Sequence, residues 1–263
     1  FHISDLHFGL EDRDALTEAQ QRTAWNEYVP KHLLPRLHAY ELMMAPYAIA
    51  HMKIGLKLAE TGYRFATEER ARIYLTNALE PWVRQLPMIG FEALAQEAAA
   101  VNEIKRHKRF TVIIGNPPYA NYSANLSPIA RRIVDKYRNF RGVQIRERNQ
   151  LQFERNIQDD FVKFISIAQD LVDASGFGVL SYITNGTMLA STSLRGLREN
   201  LFGSFSSLFE LNLHGGGNEI IPGSEDDENV FDIVQSVAIH VYVRSKQGGA
   251  SEVSYSDLPG RRE

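Results

Sequence analysis

The chain has 263 residues, of which 44% are hydrophobic and 23% charged, with a formal net charge of −3 and no cysteine. This balance is typical of one large globular α/β domain or two small ones, and it excludes a disulfide scaffold or a zinc ribbon. The chain has no run of about 18 apolar residues and no basic start followed by an apolar block, so we expect neither a membrane span nor a signal peptide.

Helical and strand-like patterns alternate along the chain. We predict helices at residues 12–28 (ended by Pro30), within 87–104, and at 48–60, 161–172 and 194–202. We predict strands at residues 36–43, 72–76, 110–114, 178–184, 208–213 and 237–243. The alternation favours a doubly wound, mostly parallel sheet, with residues 235–244 as an antiparallel strand near one edge.

The strand at 110–114 stops at Asn116-Pro117-Pro118-Tyr119. Asn116 offers a side-chain carbonyl, and the prolines hold the neighbouring backbone carbonyls in place because their φ is fixed and they lack an N–H. A base stacked on Tyr119 could donate its exocyclic amino hydrogens to Asn116 and to the Pro117 carbonyl. Both bonds would make the amino nitrogen nucleophilic. The alternative is a turn that merely contains Asn-Pro-Pro, and the preceding strand favours the chemical interpretation.

Two other strands are predicted to end near this loop. In doubly wound folds the ligand lies beyond the carboxyl ends of the strands, so Glu41 and the turn at Thr76-Asn77 become candidates. An acidic group at such a strand end can accept hydrogen bonds from both ribose hydroxyls of a nucleoside cofactor. The alternative for Glu41 is a solvated surface glutamate.

At the end of a strand, the Asn-Pro-Pro-Tyr tetrapeptide resembles the motif of DNA methyltransferases that transfer a methyl group from S-adenosylmethionine to adenine N6 or cytosine N4. Residues 42–53, 73–81, 116–121 and 230–233 look like segments of the methyltransferase part of single-chain Type I-like (Type ISP) restriction–modification enzymes. The similarity spans residues 30–245.

The resemblance implies a Rossmann-like methyltransferase fold, S-adenosyl-L-methionine as cofactor, and adenine N6 in double-stranded DNA as substrate, with the target base flipped out of the helix. It implies no metal. Cytosine N4 is disfavoured because relatives of that type carry serine or aspartate in place of Asn116. Cytosine C5 chemistry needs a cysteine and is excluded. The residues implied are Asn116, Pro117, Pro118 and Tyr119 for catalysis, and Glu41, Pro46 and Asn77 for the cofactor, although many relatives carry aspartate in place of Asn77.

One family feature is missing from the sequence. Relatives carry a loop of the form Asp-Pro-x-x-Gly-x-Gly on the first strand, and residues 1–9 contain a single glycine. We therefore expect an incomplete methyltransferase domain at residues 31–245, preceded by a helical segment at 1–30 and followed by a tail at 246–263 that leads to a target-recognition domain. Such a fragment is expected to be inactive alone, as part of a larger restriction–modification polypeptide in the bacterial cytoplasm, associated with the nucleoid.

Basic residues are concentrated directly after the tetrapeptide, although the net charge of the chain is not that of a nucleic-acid-binding protein. A loop that holds a flipped base must lie against the duplex, so we predict that this cluster contacts DNA phosphates. The alternative is a solvated basic helix. The predicted DNA-binding residues are Arg131, Arg132, Lys136, Arg138, Arg141, Arg146 and Arg148.

The sequence leaves three alternative interpretations. The segment His2-Ile3-Ser4-Asp5-Leu6-His7 looks like the start of a metallophosphoesterase, but the chain has no Gly-Asp or Gly-Asn-His segment to complete a two-metal site. Gly215-Gly216-Gly217 could be the cofactor loop of a circularly permuted methyltransferase, although we favour a tight turn near the rim of the active site. A non-catalytic DNA-recognition or scaffold fragment would show no affinity for the nucleoside cofactor.

Overall fold

A computed structural model describes residues 17–66, 69–80, 92–119, 123, 125–217, 227–247 and 249–260. The described residues divide into two compact units. The first contains the residues up to 78 together with 92–106, and the second contains 79–80 and the residues from 107 onward. The segment of residues 1–16, which carries the Asp-x-His pattern and the predicted start of the first helix, lies outside the described residues.

The first unit combines three helices with a two-stranded parallel sheet. Its elements are α1 (Glu18–Tyr28), a π-helical turn (Val29–Leu33), β1 (Ala39–Glu41), α2 (Met44–Glu60), β2 (Ile73–Leu75) and α3 (Glu92–His107). Thr17 and Gln20 form a capping box that starts α1. The predicted stop at Pro30 is wrong: the helical path continues through Pro30, because a proline at the start of a helical turn has no N–H that needs a partner.

The core of the first unit is small. Trp25, Val29, Leu34, Leu58 and Tyr63 are buried together, and the Trp25 indole N–H donates to the Thr61 hydroxyl at 2.8 Å. The predicted strand at 36–43 is shortened at both ends, since the Leu37 N–H still donates to the Leu33 carbonyl of the π-helical turn and Met43 is the N-cap of α2. The helix predicted from residue 48 likewise begins earlier, at Met44.

The second unit is built on a five-stranded sheet with the order β3-β6-β8-β7-β9. The strands are β3 (Val112–Gly115), β6 (Gly178–Asn185), β7 (Ser207–His214), β8 (Val237–Arg244) and β9 (Glu252–Asp257), and a separate hairpin consists of β4 (Asn139–Phe140) and β5 (Val143–Gln144). The helices are α4 (Pro128–Arg132), α5 (Gln150–Ile157), α6 (Asp160–Ser175), α7 (Thr187–Ala190) and α8 (Arg195–Ser204), with 3₁₀ turns at Asp135–Arg138 and Thr192–Leu194.

Strand directions follow the prediction, but one strand position does not. β8 is antiparallel to both of its neighbours, and the other four strands of this sheet run in one direction. The predicted edge position of β8 is wrong, because β7 and β9 lie beyond it. β9 was not predicted: all six of its residues are exposed, so main-chain bonds to β7, and not an apolar pattern, hold it in the sheet.

The core of the second unit lies between one face of the sheet and α5, α6 and α8. Its largest buried side chains include Tyr137, Phe161, Phe205 and Tyr242. Gly176 ends α6 in the left-handed region at φ 79°, as predicted for a C-cap glycine. The domain boundary predicted at residue 245 stays a prediction, and β9 lies beyond it.

A close backbone approach in this core generates a prediction. A Cβ on Gly196 would lie 2.2 Å from the Tyr137 carbonyl oxygen and 2.4 Å from that of Asn139, whereas a Cβ on Gly203 in the same helix would meet no atom within 4 Å. We expect Gly196→Ala to lower the free energy of unfolding by at least about 2 kcal/mol, because two backbone segments must move. Gly203→Ala, the matched control, should be neutral or stabilising by about 0.5–1 kcal/mol. Equal denaturation midpoints for the two variants would contradict this packing.

Candidate active site

Strand β3 delivers the Asn-Pro-Pro-Tyr loop, residues 116–119, at its carboxyl end. β3 pairs in parallel with β6, which places Gly115 opposite Tyr182. A Cβ on Gly115 would lie 3.0 Å from the Tyr182 ring, so glycine lets the strand end rest against that ring. Pro117 is buried, whereas Asn116 and Pro118 are exposed and Tyr119 is half-buried. The loop therefore presents Asn116 and Tyr119 outward from a fixed strand end.

Asn116 and Tyr119 contact each other directly. The Tyr119 hydroxyl donates a hydrogen bond to Asn116 Oδ1. Burial raises the pKa of Tyr119 above its ordinary value of 10.0, and the bond to Asn116 opposes that shift. The hydroxyl therefore remains protonated at neutral pH and occupies the acceptor that the sequence analysis gave to the target amino group.

Two charged residues at the start of α6 hold the chain just after this loop. Asp160 accepts hydrogen bonds from the Ser123 hydroxyl at 2.5 Å and from the Asn125 side-chain amide at 2.9 Å. Lys163 donates to the Ser123 hydroxyl at 2.6 Å and to the Asn125 carbonyl at 2.8 Å. Neither residue is recognisable as a site residue in the sequence, because both lie within a helix whose clearest signal is its apolar period.

The predicted cofactor residues Glu41 and Asn77 lie together in the first unit. β1 and β2 are parallel, Glu41 is paired with Leu75, and the Thr76 N–H donates to the Glu41 carbonyl at 2.7 Å. The two strand ends are therefore neighbours, and their predicted role in cofactor binding stays a prediction. Pro46 lies in the first turn of α2, which follows directly.

The Glu41 carboxylate is oriented by the start of α2. Its Oε1 accepts main-chain N–H bonds from Leu42 at 2.8 Å and from Met43 at 2.9 Å. Oε2 has no hydrogen-bond partner among the described residues. The side chain is thus held by one oxygen and leaves the other as an acceptor.

Lys105 also belongs to this strand-end cluster. Its ammonium donates to the Thr76 hydroxyl at 3.0 Å and to the Asn77 carbonyl at 2.8 Å, and it lies 5.7 Å from the centre of the Tyr40 ring. These contacts fix the turn that carries Asn77. In the sequence, Lys105 is one member of a basic run, and nothing there separates it from its neighbours.

Two of the predicted DNA-binding residues are engaged inside the second unit. Arg138 donates to both carboxylate oxygens of Glu154, at 2.5 and 3.0 Å. Lys136 bonds to the Asp170 carboxylate at 2.6 Å and to the Ser166 carbonyl at 3.1 Å. Their charges are balanced by acidic partners from other helices.

Three other predicted DNA-binding residues face solvent. Arg132, Arg146 and Arg148 are exposed and make no hydrogen bond or ion pair with any described residue. Arg131 is also exposed, but its Nε donates to the Leu126 carbonyl at 3.2 Å. The cluster that looks uniform in the sequence is therefore split between structural ion pairs and solvent-facing cations.

Arg141 lies at the tip of the β4–β5 hairpin. It has φ 52° and is followed by Gly142 at φ 76°, a left-handed pair typical of a tight hairpin turn. A non-glycine residue is uncommon there. Its N–H donates to the two carboxylate oxygens of Glu199 at 2.8 and 3.0 Å, and its guanidinium lies 5.3 Å from the centre of the Phe140 ring.

The glycine run 215–217 follows β7, whose carboxyl end lies at the same edge of the sheet as that of β3, because the two strands run in the same direction. Gly215 has φ 77°, and a Cβ there would lie 2.4 Å from the Asn229 Cα. Its N–H donates to Asp227 at 2.7 Å. These contacts show a close-packed turn, which agrees with the predicted tight turn at this rim.

Residues 38–212 match the family model of the Eco57I restriction-modification methylases, and this match covers more than half of the chain. The chain belongs to the Eco57I restriction-modification methylase family. This assignment confirms the predicted methyltransferase class and, with the sheet described above, an α/β methyltransferase fold. No curated protein sequence matches the chain.

Solved structures of restriction–modification enzymes share this methylase fold. The ATP-dependent Type ISP enzyme LlaBIII bound to DNA aligns over 91% of the chain with a TM-score of 0.63 and 21% identity. The DrdV–DNA complex aligns over 94% with a TM-score of 0.67 and 24% identity, and a nuclease-deletion mutant of the Type ISP enzyme LlaGI with a DNA substrate mimic over 91% with 0.67 and 22%. The methylase chain spans only 17–23% of the length of these three proteins.

No helix among the described residues combines the length and apolarity that a membrane crossing requires. The same residues contain no group of three or more His, Asp or Glu side chains arranged to hold a metal ion.

Asp159 beside this site generates a prediction about pH. Burial raises the pKa of Asp159 from its ordinary 3.8 to about 7. The folded state therefore binds this proton more tightly than the unfolded state. The contribution of Asp159 to the free energy of unfolding is then fully present below about pH 4 and is lost as the pH rises towards 7. Asp159→Asn keeps an N-capping side chain without this titration. Denaturation of the two proteins between pH 4 and 8 should show the wild-type free energy of unfolding falling relative to the variant, and parallel curves would contradict the shift.

Proposed function

We propose that this chain is the catalytic part of a DNA methyltransferase that transfers a methyl group to adenine N6 within a restriction–modification enzyme. The observation that carries the proposal is the Asn-Pro-Pro-Tyr loop at the carboxyl end of β3, in an α/β sheet of the methylase family. Because the chain spans about a fifth of its structural relatives, we assign the activity to a complete polypeptide that contains it. Cytoplasmic DNA would be its substrate.

The loop provides the two acceptors that the reaction needs. The amino group of a flipped adenine would donate one hydrogen to Asn116 Oδ1 and the other to the Pro117 carbonyl, and its ring would stack on Tyr119. Asn116 Oδ1 already accepts a hydrogen bond from the Tyr119 hydroxyl in the structure, and the second lone pair of this amide oxygen would accept the hydrogen of the amino group. The adenine amino group would therefore share an acceptor that is already oriented by Tyr119. The two hydrogen bonds that it donates would make the nitrogen nucleophilic without a strong base.

Adenine is preferred over cytosine on the grounds of residue type. Asn116 carries an amide, whereas the cytosine N4 enzymes carry serine or aspartate at this place. The tyrosine ring offers a stacking surface to either base, so the choice depends on the asparagine. A neutral amide accepts a hydrogen bond from N6 without taking its proton. The proton would leave to solvent after the methyl transfer.

The first unit contains residues that fit S-adenosylmethionine, which when bound supplies a methyl group attached to a positive sulfur. Glu41 Oε2 is an acceptor without a described partner, and its carboxylate is oriented by the start of α2, as the ribose hydroxyls of a nucleoside require. The turn at Asn77, held by Lys105, would contact the adenine of the cofactor, and Pro46 would lie nearby.

For DNA contact, the exposed members of the basic cluster are the better candidates. Arg132, Arg146 and Arg148 can reach phosphates without giving up a described ion pair. Arg138 and Lys136 would first have to leave Glu154 and Asp170. We retain Arg131 and Arg141 as phosphate contacts, since both are exposed.

Substitution of Asn116 tests the chemistry. In the complete enzyme, Asn116→Ala should lower methyl transfer to DNA by at least about 100-fold, because the amino group loses an oriented acceptor. Cofactor affinity should stay within about twofold, since the proposed cofactor contacts Glu41, Pro46 and Asn77 are unchanged. Mass spectrometry of nucleosides from treated DNA measures N6-methyladenine directly, and equilibrium dialysis with labelled cofactor measures its Kd.

A matched variant separates cofactor binding from chemistry. Glu41→Ala should raise the cofactor Kd by about 10-fold or more, the loss expected when hydrogen bonds to a charged group are removed. N4-methylcytosine as the product would exclude the adenine assignment. An undetectable cofactor affinity in the wild-type enzyme would favour the scaffold alternative.

Salt dependence tests the basic cluster. Replacing Arg132, Arg146 and Arg148 with alanine should reduce the slope of log affinity against log salt by about 0.9 for each DNA phosphate that is no longer neutralised. Arg138→Ala, whose guanidinium is paired with Glu154, should change the slope much less. Filter binding of duplex DNA between about 50 and 200 mM salt, a range in which such slopes are about linear, supplies the measurement. An unaltered slope in the triple variant would show that these arginines do not touch the DNA.

A further inference from the structure

A lysine with no solvent contact lies in the first turn of α6. The Lys163 side chain is 0% exposed, and Asp160, one turn earlier, is 7% exposed, with 3.6 Å between their charged atoms. Burying such ions costs several kcal/mol each, and replacing a buried pair with apolar side chains is often neutral or stabilising. The positive end of the helix also disfavours a cation there. Stability alone therefore does not explain why these charges lie in the core.

The hydrogen bonds of the pair show what it does. Asp160 and Lys163 make four hydrogen bonds to the chain after the Asn-Pro-Pro-Tyr loop, and all four end on Ser123 or Asn125. The Ser123 hydroxyl gives its hydrogen to Asp160 and accepts from Lys163 and from the Asn125 N–H at 3.0 Å. Its donor and both its acceptor positions are used. The contact is therefore specific to this short segment.

The segment is close to the catalytic loop along the chain. Tyr119 and Ser123 are four residues apart, so the chain between them spans at most about 14 Å. The other end of the loop is fixed by β3, whose Gly115 rests against Tyr182. Pro117 and Pro118 have no N–H with which to hold the loop from within. Apart from the hydrogen bond between Tyr119 and Asn116, the loop thus depends on its two flanks for its position.

We infer that Asp160 and Lys163 are positioning residues, which fix the outgoing end of the Asn-Pro-Pro-Tyr loop on α6 and thereby set where Asn116 and Tyr119 hold the target base. The inference rests on the proposed function, since it assigns the buried pair to that reaction. α6 is suited to this task because its apolar side packs in the core of the second unit. A displacement of about 1 Å at a reacting group can cost about 100-fold in rate, so a loose loop would be costly.

The first test measures the loop itself and needs no activity. Chymotrypsin cleaves after tyrosine, and the sequence places Tyr119 and Tyr122 in this stretch. In the complete enzyme, Lys163→Met and Ser123→Ala should speed cleavage after these tyrosines by about 10-fold, as mapped by mass spectrometry, because opening becomes easier when anchoring bonds are removed. Ser123→Ala leaves both buried charges in place, which protects the test against a variant that fails to fold.

The matched control is Arg244→Met. Arg244 pairs with Asp173 near the other end of α6, with donation to its carboxylate at 2.5 Å and to the Ser204 carbonyl at 2.8 Å. The substitution removes a half-buried ion pair from the same helix, about 20 Å from Asp160 by helix rise. Cleavage at Tyr119 and Tyr122 should match the wild type.

The second test measures catalysis. At saturating DNA and cofactor, Lys163→Met and Ser123→Ala should lower the rate of methyl transfer by about 10-fold to 100-fold, with the Kd of S-adenosylmethionine unchanged within about twofold. A merely structural role would not separate the rate from the cofactor Kd in this way. Folded variants with wild-type cleavage and wild-type rate would overturn the inference. Faster cleavage in an enzyme whose wild-type form methylates no adenine would instead refute the proposed function and leave the anchor standing.

Discussion

Two consecutive prolines at a strand end impose the constraint on which the rest of this site depends. Pro117 and Pro118 have no N–H, so the loop that presents Asn116 and Tyr119 cannot be held by helix or sheet hydrogen bonds of its own. The fixed φ of the prolines and the hydrogen bond between Tyr119 and Asn116 stiffen the loop, but its flanks set its position on the sheet and on α6. On one side, the parallel pairing of β3 with β6 sets Gly115 against Tyr182. On the other, Ser123 and Asn125 are bound to α6.

This constraint gives a physical reason for charges that the fold alone would not favour. Burial lowers the pKa of the Lys163 ammonium, and the carboxylate of Asp160 opposes that shift. The desolvation penalty is offset by short hydrogen bonds to the loop segment, which are stronger in a buried setting than in water. The charged pair therefore binds the exposed loop to a helix of the core, and the loop is fixed in position as a result.

The residues of the basic cluster fall into two groups with different surroundings. Arg138 and Lys136 join helices to one another through Glu154 and Asp170, while Arg132, Arg146 and Arg148 face solvent. Both groups lie within the same short stretch of sequence. Arg138 also pairs with Asp135 three residues earlier, but Glu154 and Asp170, the partners of Arg138 and Lys136 from other elements, are 16 and 34 residues away along the chain. Only the folded chain separates structural from solvent-facing cations.

The sequence by itself placed the Asn-Pro-Pro-Tyr tetrapeptide at the end of a strand, placed Glu41 and Asn77 at or just after strand ends, and indicated the antiparallel direction of β8. These follow from residue type and local period, which act over a few residues. Tertiary structure decided the central place of β8, the strand β9, the orienting role of Lys105 and the anchor formed by Asp160 and Lys163. Each of these depends on partners far apart in the chain. β9 is held by main-chain bonds to β7, and Lys163 forms its hydrogen bonds with Ser123 and Asn125. Local patterns carry no record of such long-range contacts.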